Sequence, residues 1–320
     1  GVLEDWSSSV SQDSPPEPPV DNPNNDTPTD CPTECGCDSC KVADNCITTN
    51  EKGNPSTKGT TIKGPNCLGE HIQITPVYNS DEQGTLPFGK GWTHSYNMYI
   101  YSDEGGIIKL VNAQGKIDIY TLSGGKYIGP DGEITKNGDG SYSLLNQNSV
   151  TYSFNSLGRL SSIVNGNGFA NVFTYDSSGR LIKITDPSER EFVFAYNSTG
   201  YIESITNPAN QSYLYDYDEN GNLISVTDPE GNVTTYEYEG PDGKLSSISQ
   251  NGVTKRTLAY DPVTKKLTST APANGEAGDY VYDEENHTVT VTDALGNVNT
   301  YTYDTAGNLI SRTDPSGGIT

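Results

Sequence analysis

The chain has 320 residues, 32% of them hydrophobic, with a single Met, 34 Gly and 21 Tyr against 6 Phe. A helical protein needs more Leu, Ala and Met than this, so turn formers combined with Thr, Val, Ile and Tyr point to an all-β fold. A formal charge of −23 and a pI near 4.3 exclude nucleic-acid binding driven by counterion release and set the chain against anionic membrane surfaces, and no run of apolar residues is long enough to predict a membrane-spanning helix.

Residues 1–30 carry seven acids, six prolines and no Lys or Arg, the composition of an extended tail or linker. The chain opens at Gly1 without a basic n-region or an apolar h-region, as expected after removal of a signal peptide or excision of a piece. Residues 31–70 form a Cys-rich module holding Cys31, Cys35, Cys37, Cys40, Cys46 and Cys67. An even, clustered set in an acidic, Asn- and Thr-rich chain predicts disulfides and an extracellular setting, with the connectivity open. A zinc site built on Cys37 and Cys40, with Cys35 and His71, is the competing reading, and the paired knuckles of a zinc ribbon are missing.

Residues 71–150 alternate strand-like runs with the turn signals DEGG, NAQG, SGG, PDG and NGDG, which predicts a β-meander. From 151 to 320 a tyrosine returns every twenty-one to twenty-three residues, at Tyr152, Tyr175, Tyr196, Tyr217, Tyr238, Tyr260, Tyr282 and Tyr303. Phrases such as YDSSGRLIKITDP (175–187) and YDENGNLISVTDP (217–229) then predict a strand ending at Tyr, a turn on Asp-x-x-Gly, a returning strand and a second turn at Asp-Pro-x-Gly. Fixed-period self-similarity marks an array whose units bury their apolar faces against their neighbours. The tyrosine stripe reads as cross-strand packing rather than as a ligand platform. Two units, those of Tyr260 and Tyr282, have worn turns.

Chemistry-bearing patterns are sparse. The turn Asp218-x-Asn220-x-Asn222 imitates the start of a Ca²⁺ loop, but its glycine comes at the fourth position and no bidentate Glu follows. These turns therefore read as hairpins, no cofactor is expected, and calcium is the lesser reading. His71, His94 and His287 have no Ser or Cys nucleophile motif beside them, and His94 reads as a packed, hydrogen-bonded side chain. No enzymatic activity is expected.

The repeat phrase resembles the YD repeats of RHS proteins. The stretch 74–106, with Gly89, Gly91, Trp92, His94, Ser95 and Tyr96, resembles the region that leads into those repeats, so the resemblance covers roughly residues 70–320. It implies a large β-sheet that spirals into a hollow shell, enclosing an effector in bacterial toxin complexes and polymorphic toxins and serving adhesion in animal teneurins. The self-cleaving segment that ends the toxin shells, with its catalytic aspartates, finds no counterpart in these residues. Eight hairpins predict an open, curved sheet whose final edge pairs with further repeats of a longer chain or with another copy of this one. The expectation is an extracellular, structural or adhesive protein at the cell surface, assembling into a filament through sheet edges and the N-terminal tail. The N-terminal part of a toxin-enclosing shell is the alternative.

Overall fold

A computed structural model describes residues 47–49, 52, 54–63, 71–80, 86–103, 105–240, 243–272, 278–305 and 309–320. All of them belong to the second of the two units into which the chain divides, Gly1–Asp30 and Cys31–Thr320. The acidic tail and the six cysteines lie outside the described residues, and so does the disulfide reading.

Among the described residues every regular element is a strand. The first six are β1 (Ile47–Thr49), β2 (Pro55–Lys58), β3 (Ile62–Lys63), β4 (Gln73–Ile74), β5 (Pro76–Asn79) and β6 (Trp92–His94). They form a four-stranded sheet in the order β1-β2-β5-β6 and a two-stranded sheet β3-β4. We call these together the plug. One long antiparallel ladder follows, beginning β7 (Tyr99–Ser102), β8 (Ile108–Val111), β9 (Ile117–Ser123), β10 (Lys126–Gly129), β11 (Gly132–Lys136) and β12 (Tyr142–Asn146). The hairpins of the repeats continue it as β13 (Thr151–Phe154), β14 (Leu160–Val164), β15 (Ala170–Tyr175), β16 (Leu181–Thr185), β17 (Glu191–Tyr196), β18 (Ile202–Thr206), β19 (Ser212–Tyr217) and β20 (Leu223–Thr227). The last eight strands are β21 (Val233–Glu239), β22 (Lys244–Gln250), β23 (Val253–Tyr260), β24 (Leu267–Pro272), β25 (Gly278–Asp283), β26 (Thr288–Thr292), β27 (Val298–Tyr303) and β28 (Leu309–Thr313).

The turns explain the hairpins. At Asp176 one carboxylate oxygen accepts the N–H groups of Ser178 and Arg180, both at 2.9 Å, and Asn197 holds Thr199 and Tyr201 the same way at 3.1 and 3.0 Å. The Asx side chain thus satisfies backbone donors that a six-residue reversal would leave unpaired. Gly179 and Gly200 take φ of +79° and +93° at the tight position, a region that L side chains enter at a cost. Where the phrase lacks glycine, Glu189 is forced to +61°.

Six of the eight repeat tyrosines stand at a register shift near the end of their strand. Tyr175 pairs with Leu181 across a shift at Thr174/Tyr175, and the same step recurs at Tyr196, Tyr217, Tyr238, Tyr260 and Tyr303. In the first unit that position belongs to Phe154, paired with Leu160, while Tyr152 stands two residues upstream, opposite Ile163. Such shifts bend the strand and add to the right-handed twist.

That accumulated twist changes the expected outline. The ladder runs beyond the eight expected hairpins: twenty-two described strands, β7–β28, form one run that turns back on itself where β7 meets the β13–β14 turn. Strands β7–β12, which lack the repeat phrase, nevertheless join the same ladder. The ladder is pinned across itself at the point where it turns back. The Ile100 N–H donates to the Gly158 carbonyl at 2.8 Å and Tyr99 bridges Arg159, an approach so close that a Cβ on Gly158 would collide with the Ile100 carbonyl. On β28, Arg312 and Thr320 exchange two backbone bonds of 2.9 Å.

The core lies on the concave face. Residues two before the strand end form one buried row, Phe173, Phe194, Tyr215, Tyr236, Leu258, Tyr280 and Tyr301, and plug residues Ile62, Ile74, Tyr78, Phe88 and Trp92 belong to the same cluster. Wall and plug therefore share a single core.

Candidate functional site

The site of interest is the seat where the plug meets the wall, because that is where the chain's most specific residues converge. It is built on a second row, formed by the strand-end tyrosines. The Tyr175 hydroxyl donates to the Leu160 carbonyl at 2.7 Å, fifteen residues earlier in the chain. The same reach joins Tyr196 to Leu181, Tyr217 to Ile202, Tyr238 to Leu223, Tyr260 to Leu245 and Tyr282 to Leu267, at 2.6–2.8 Å. Each tyrosine thereby ties its own hairpin to the one before, giving the carbonyl a partner that the register shift removes from the ladder. Burial pushes the phenols of Tyr175, Tyr196, Tyr217 and Tyr260 above their ordinary range.

A turn residue from the preceding hairpin covers most of these rings. The Arg180 guanidinium lies 4.6 Å from the Tyr196 ring centre, Lys244 5.4 Å from Tyr260 and Lys266 5.1 Å from Tyr282, while the Tyr201 ring sits 4.9 Å from that of Tyr217. These are cation–π and ring–ring contacts between neighbouring units. The equivalent residue over Tyr238 is Asn222, too short and too polar to act as a lid, and there the plug enters. Trp92 Nε1 donates to the Tyr238 hydroxyl at 2.8 Å, and its ring packs 4.8 Å from Tyr236 and 5.3 Å from Tyr78.

The segment around Trp92 is fastened backbone to backbone. The Lys90 N–H donates to the Gly221 carbonyl at 2.9 Å, and the Ile202 N–H to the Pro87 carbonyl at 2.8 Å. Farther along, the Leu245 N–H donates to the Tyr78 hydroxyl at 3.2 Å, whose pKa burial raises to about 12. Gly89 sits at φ +85° with the Gly221 carbonyl and the Tyr217 ring where a Cβ would stand, so only glycine lets the loop lie flat on the rim. Phe88 fills the gap between Tyr215, at 4.7 Å, and His94, at 5.9 Å. At the other edge of the plug, Thr49 offers its hydroxyl to Tyr282 and its carbonyl to Tyr303, both at 3.3 Å.

His94 is buried at this seam, in β6. Its Nδ1 accepts the Tyr96 N–H at 3.2 Å, and the Phe194 ring lies 6.0 Å away. Burial among aromatic rings lowers its pKa to about 3, so the imidazole is neutral near pH 7. His71 lies on the lead-in to β4 and His287 in the β25–β26 turn.

The anchor tyrosines fall into three situations. Tyr175, Tyr196, Tyr217, Tyr238, Tyr260 and Tyr282 share the backward-reaching bond, Tyr303 reaches the plug instead, and Tyr152 stands in the inner row's register. Residues that sequence reasoning left without a role are Phe88, Tyr78 and the inner row. Their signal was an aromatic residue two places before the repeat tyrosine. The acidic turns use their oxygens internally: Asp218 accepts from the Asn220 and Asn222 N–H groups and from Asn222 Nδ2 at 2.8–2.9 Å. Among the described residues no three His, Cys, Asp or Glu side chains gather into a metal-holding group. Nor is any described helix long and apolar enough to cross a membrane.

Comparison with known proteins gives three family matches: the teneurin YD-shell over residues 132–241, the RHS repeat over 282–319, and a domain of unknown function, DUF6531, over 61–120. No curated protein matches the chain. Among solved structures, TcdB2-TccC3 is similar at 12% identity and a TM-score of 0.36, over 83% of this chain and 19% of that one. The Tc holotoxin pore of Photorhabdus luminescens is similar at 13% identity and 0.32, over 83% and 18%. The N-terminal domain of the effector protein SpvB from Salmonella typhimurium strain LT2 is similar at 14% identity and 0.26, over 68% and 99%. The chain thus spans about a fifth of the length of the first of these structures.

Proposed function

We propose, on the premise that this chain is an RHS/YD-repeat family protein, that it forms the N-terminal part of a shell of the effector-enclosing kind. In this reading the repeats build wall and residues 47–96 close one end. The observation that carries it is the seat itself: the plug engages rings at Phe173, Phe194, Tyr215 and Tyr236 in four successive hairpins, so the wall curves around a filled interior. A flat adhesive array has no need of such a row facing inward. The role is structural rather than enzymatic, its partners are further repeats or a larger complex, and the setting is secreted or at the cell surface.

The adhesive-filament reading uses the ladder's edges for contact with other copies, whereas the rings that engage the plug give the wall an interior to enclose. The test is electron microscopy of the protein at its natural length, joined to limited proteolysis. Closed particles that shield a C-terminal segment from protease are the expected result. Filaments, or particles whose C-terminal segment is digested as fast as an isolated peptide, overturn the proposal.

A further inference from the structure

The short segment that fastens the plug also carries the one buried histidine of the described residues, and the two facts belong together. Four bonds tie the plug to the hairpins of Tyr196 through Tyr238, and three of them arise between Pro87 and Trp92. His94 follows two residues after Trp92, opposite Pro76 in the pairing of β5 with β6. It is 2% exposed and faces the wall at Phe194. The neutral ring is needed there, because Nδ1 must stay unprotonated to accept the Tyr96 N–H.

Adding a proton breaks that bond and leaves a cation in an aromatic pocket. The titratable groups on the elements packed around it are phenols, Tyr78 on β5, Tyr96 just past β6 and Tyr196 on β17, none of which becomes an anion in acid. The charged groups nearby point elsewhere: Lys90 is exposed on the loop, Glu191 is exposed on β17, and Lys116 lies on the hairpin whose Gly115 approaches Thr93. No ion pair to His94 exists among the described residues.

We propose that Phe88–Tyr96 is an acid-released latch: protonation of His94 frees the plug from the wall while the ladder stays paired. The ladder has no buried histidine among the described residues, and its buried carboxylates, Asp186 and Asp293, are hydrogen-bonded within their own turns. The latch goes beyond the shell reading and does not depend on what the shell contains. It supplies a means of opening one end in an acidic compartment.

Two wall amides report on it directly, because they donate only to plug atoms: Ile202 N–H to Pro87 and Leu245 N–H to the Tyr78 hydroxyl. Native-state hydrogen exchange on the whole chain should show their opening constants rising about tenfold per pH unit below 6.5, about 300-fold by pH 4. The other amides of β17–β20 should open far less. In Trp6→Phe protein, Trp92 is the sole tryptophan, and its emission should shift to the red over the same range before far-UV dichroism changes. His94→Gln and His94→Phe should flatten both responses. Reporter and ladder amides opening together, or no pH response, overturns the latch, as does a response that survives in either variant. If neither variant folds, the comparison of amides in the wild-type chain still decides.

Discussion

The hydroxyl of a repeat tyrosine does two jobs, because it satisfies a carbonyl orphaned by the register shift and joins two hairpins. Tyr217→Phe keeps the ring but leaves the Ile202 carbonyl without its donor, and should lower stability by about 1 kcal/mol in urea titration. Tyr101→Phe, on an exposed ring, should leave the midpoint where it is. Glu189 shows the opposite situation. It is exposed in a turn at φ +61°, where sister turns use glycine, so Glu189→Gly should raise stability by about 0.5–1 kcal/mol. This level of the structure was the most legible, since Asp-x-x-Gly states both the capping side chain and the left-handed position. The misleading residue was Tyr152. Aromatic residues occur both at the strand end and two places before it, so spacing alone cannot choose between Tyr152 and Phe154 as the register position.

At the scale of elements, the Gly89 loop separates docking from folding. Gly231 and Gly89 share a positive φ, +84° and +85°, but a Cβ on Gly231 meets open space and one on Gly89 meets the Gly221 carbonyl. Gly231→Ala should cost about 1 kcal/mol; Gly89→Ala should cost about 2 kcal/mol or more and expose Trp92, read as a red shift in its emission. The strands and their order along the repeats follow from periodicity. The destination of the Gly-x-Gly-Trp phrase does not, because Trp92 bonds a tyrosine 146 residues away and no local pattern encodes that partner. One clue was present in the repeats themselves: Asn222 replaces the Arg, Lys or Tyr that elsewhere covers the next ring.

For the molecule as a whole, acid is the revealing variable. The folded pKa of His94, about 3, lies below the ordinary value of 6.5, so its contribution is complete above pH 6.5 and is lost as the pH falls toward 3. By pH 5 the loss is about 2 kcal/mol, and His94→Phe should remove it from a series of urea titrations. The turn carboxylates Asp176, Asp218 and Asp314 have pKa values held down by hydrogen bonds within their turns, so their contribution is present above the ordinary carboxylate value and vanishes only below it. Two windows of acid destabilisation should therefore appear, and the histidine variant should erase only the upper one. The full extent of the ladder was hidden from sequence for a related reason of scale. Counting repeat phrases gives eight hairpins, but strands β7–β12 share the ladder without sharing the phrase, and the twist stored in successive register shifts appears only in the sum.

The direction of the tyrosine bonds has a consequence for how such a wall is made. From Tyr175 to Tyr282 the donor lies fifteen residues after its acceptor, so each hairpin brings with it the tyrosine that fastens it to its predecessor. A chain emerging from the ribosome can close each fastening as soon as the next tyrosine appears, and winding proceeds outward from a plug that was synthesised first. Assembly order is thus written into the polarity of a side-chain bond.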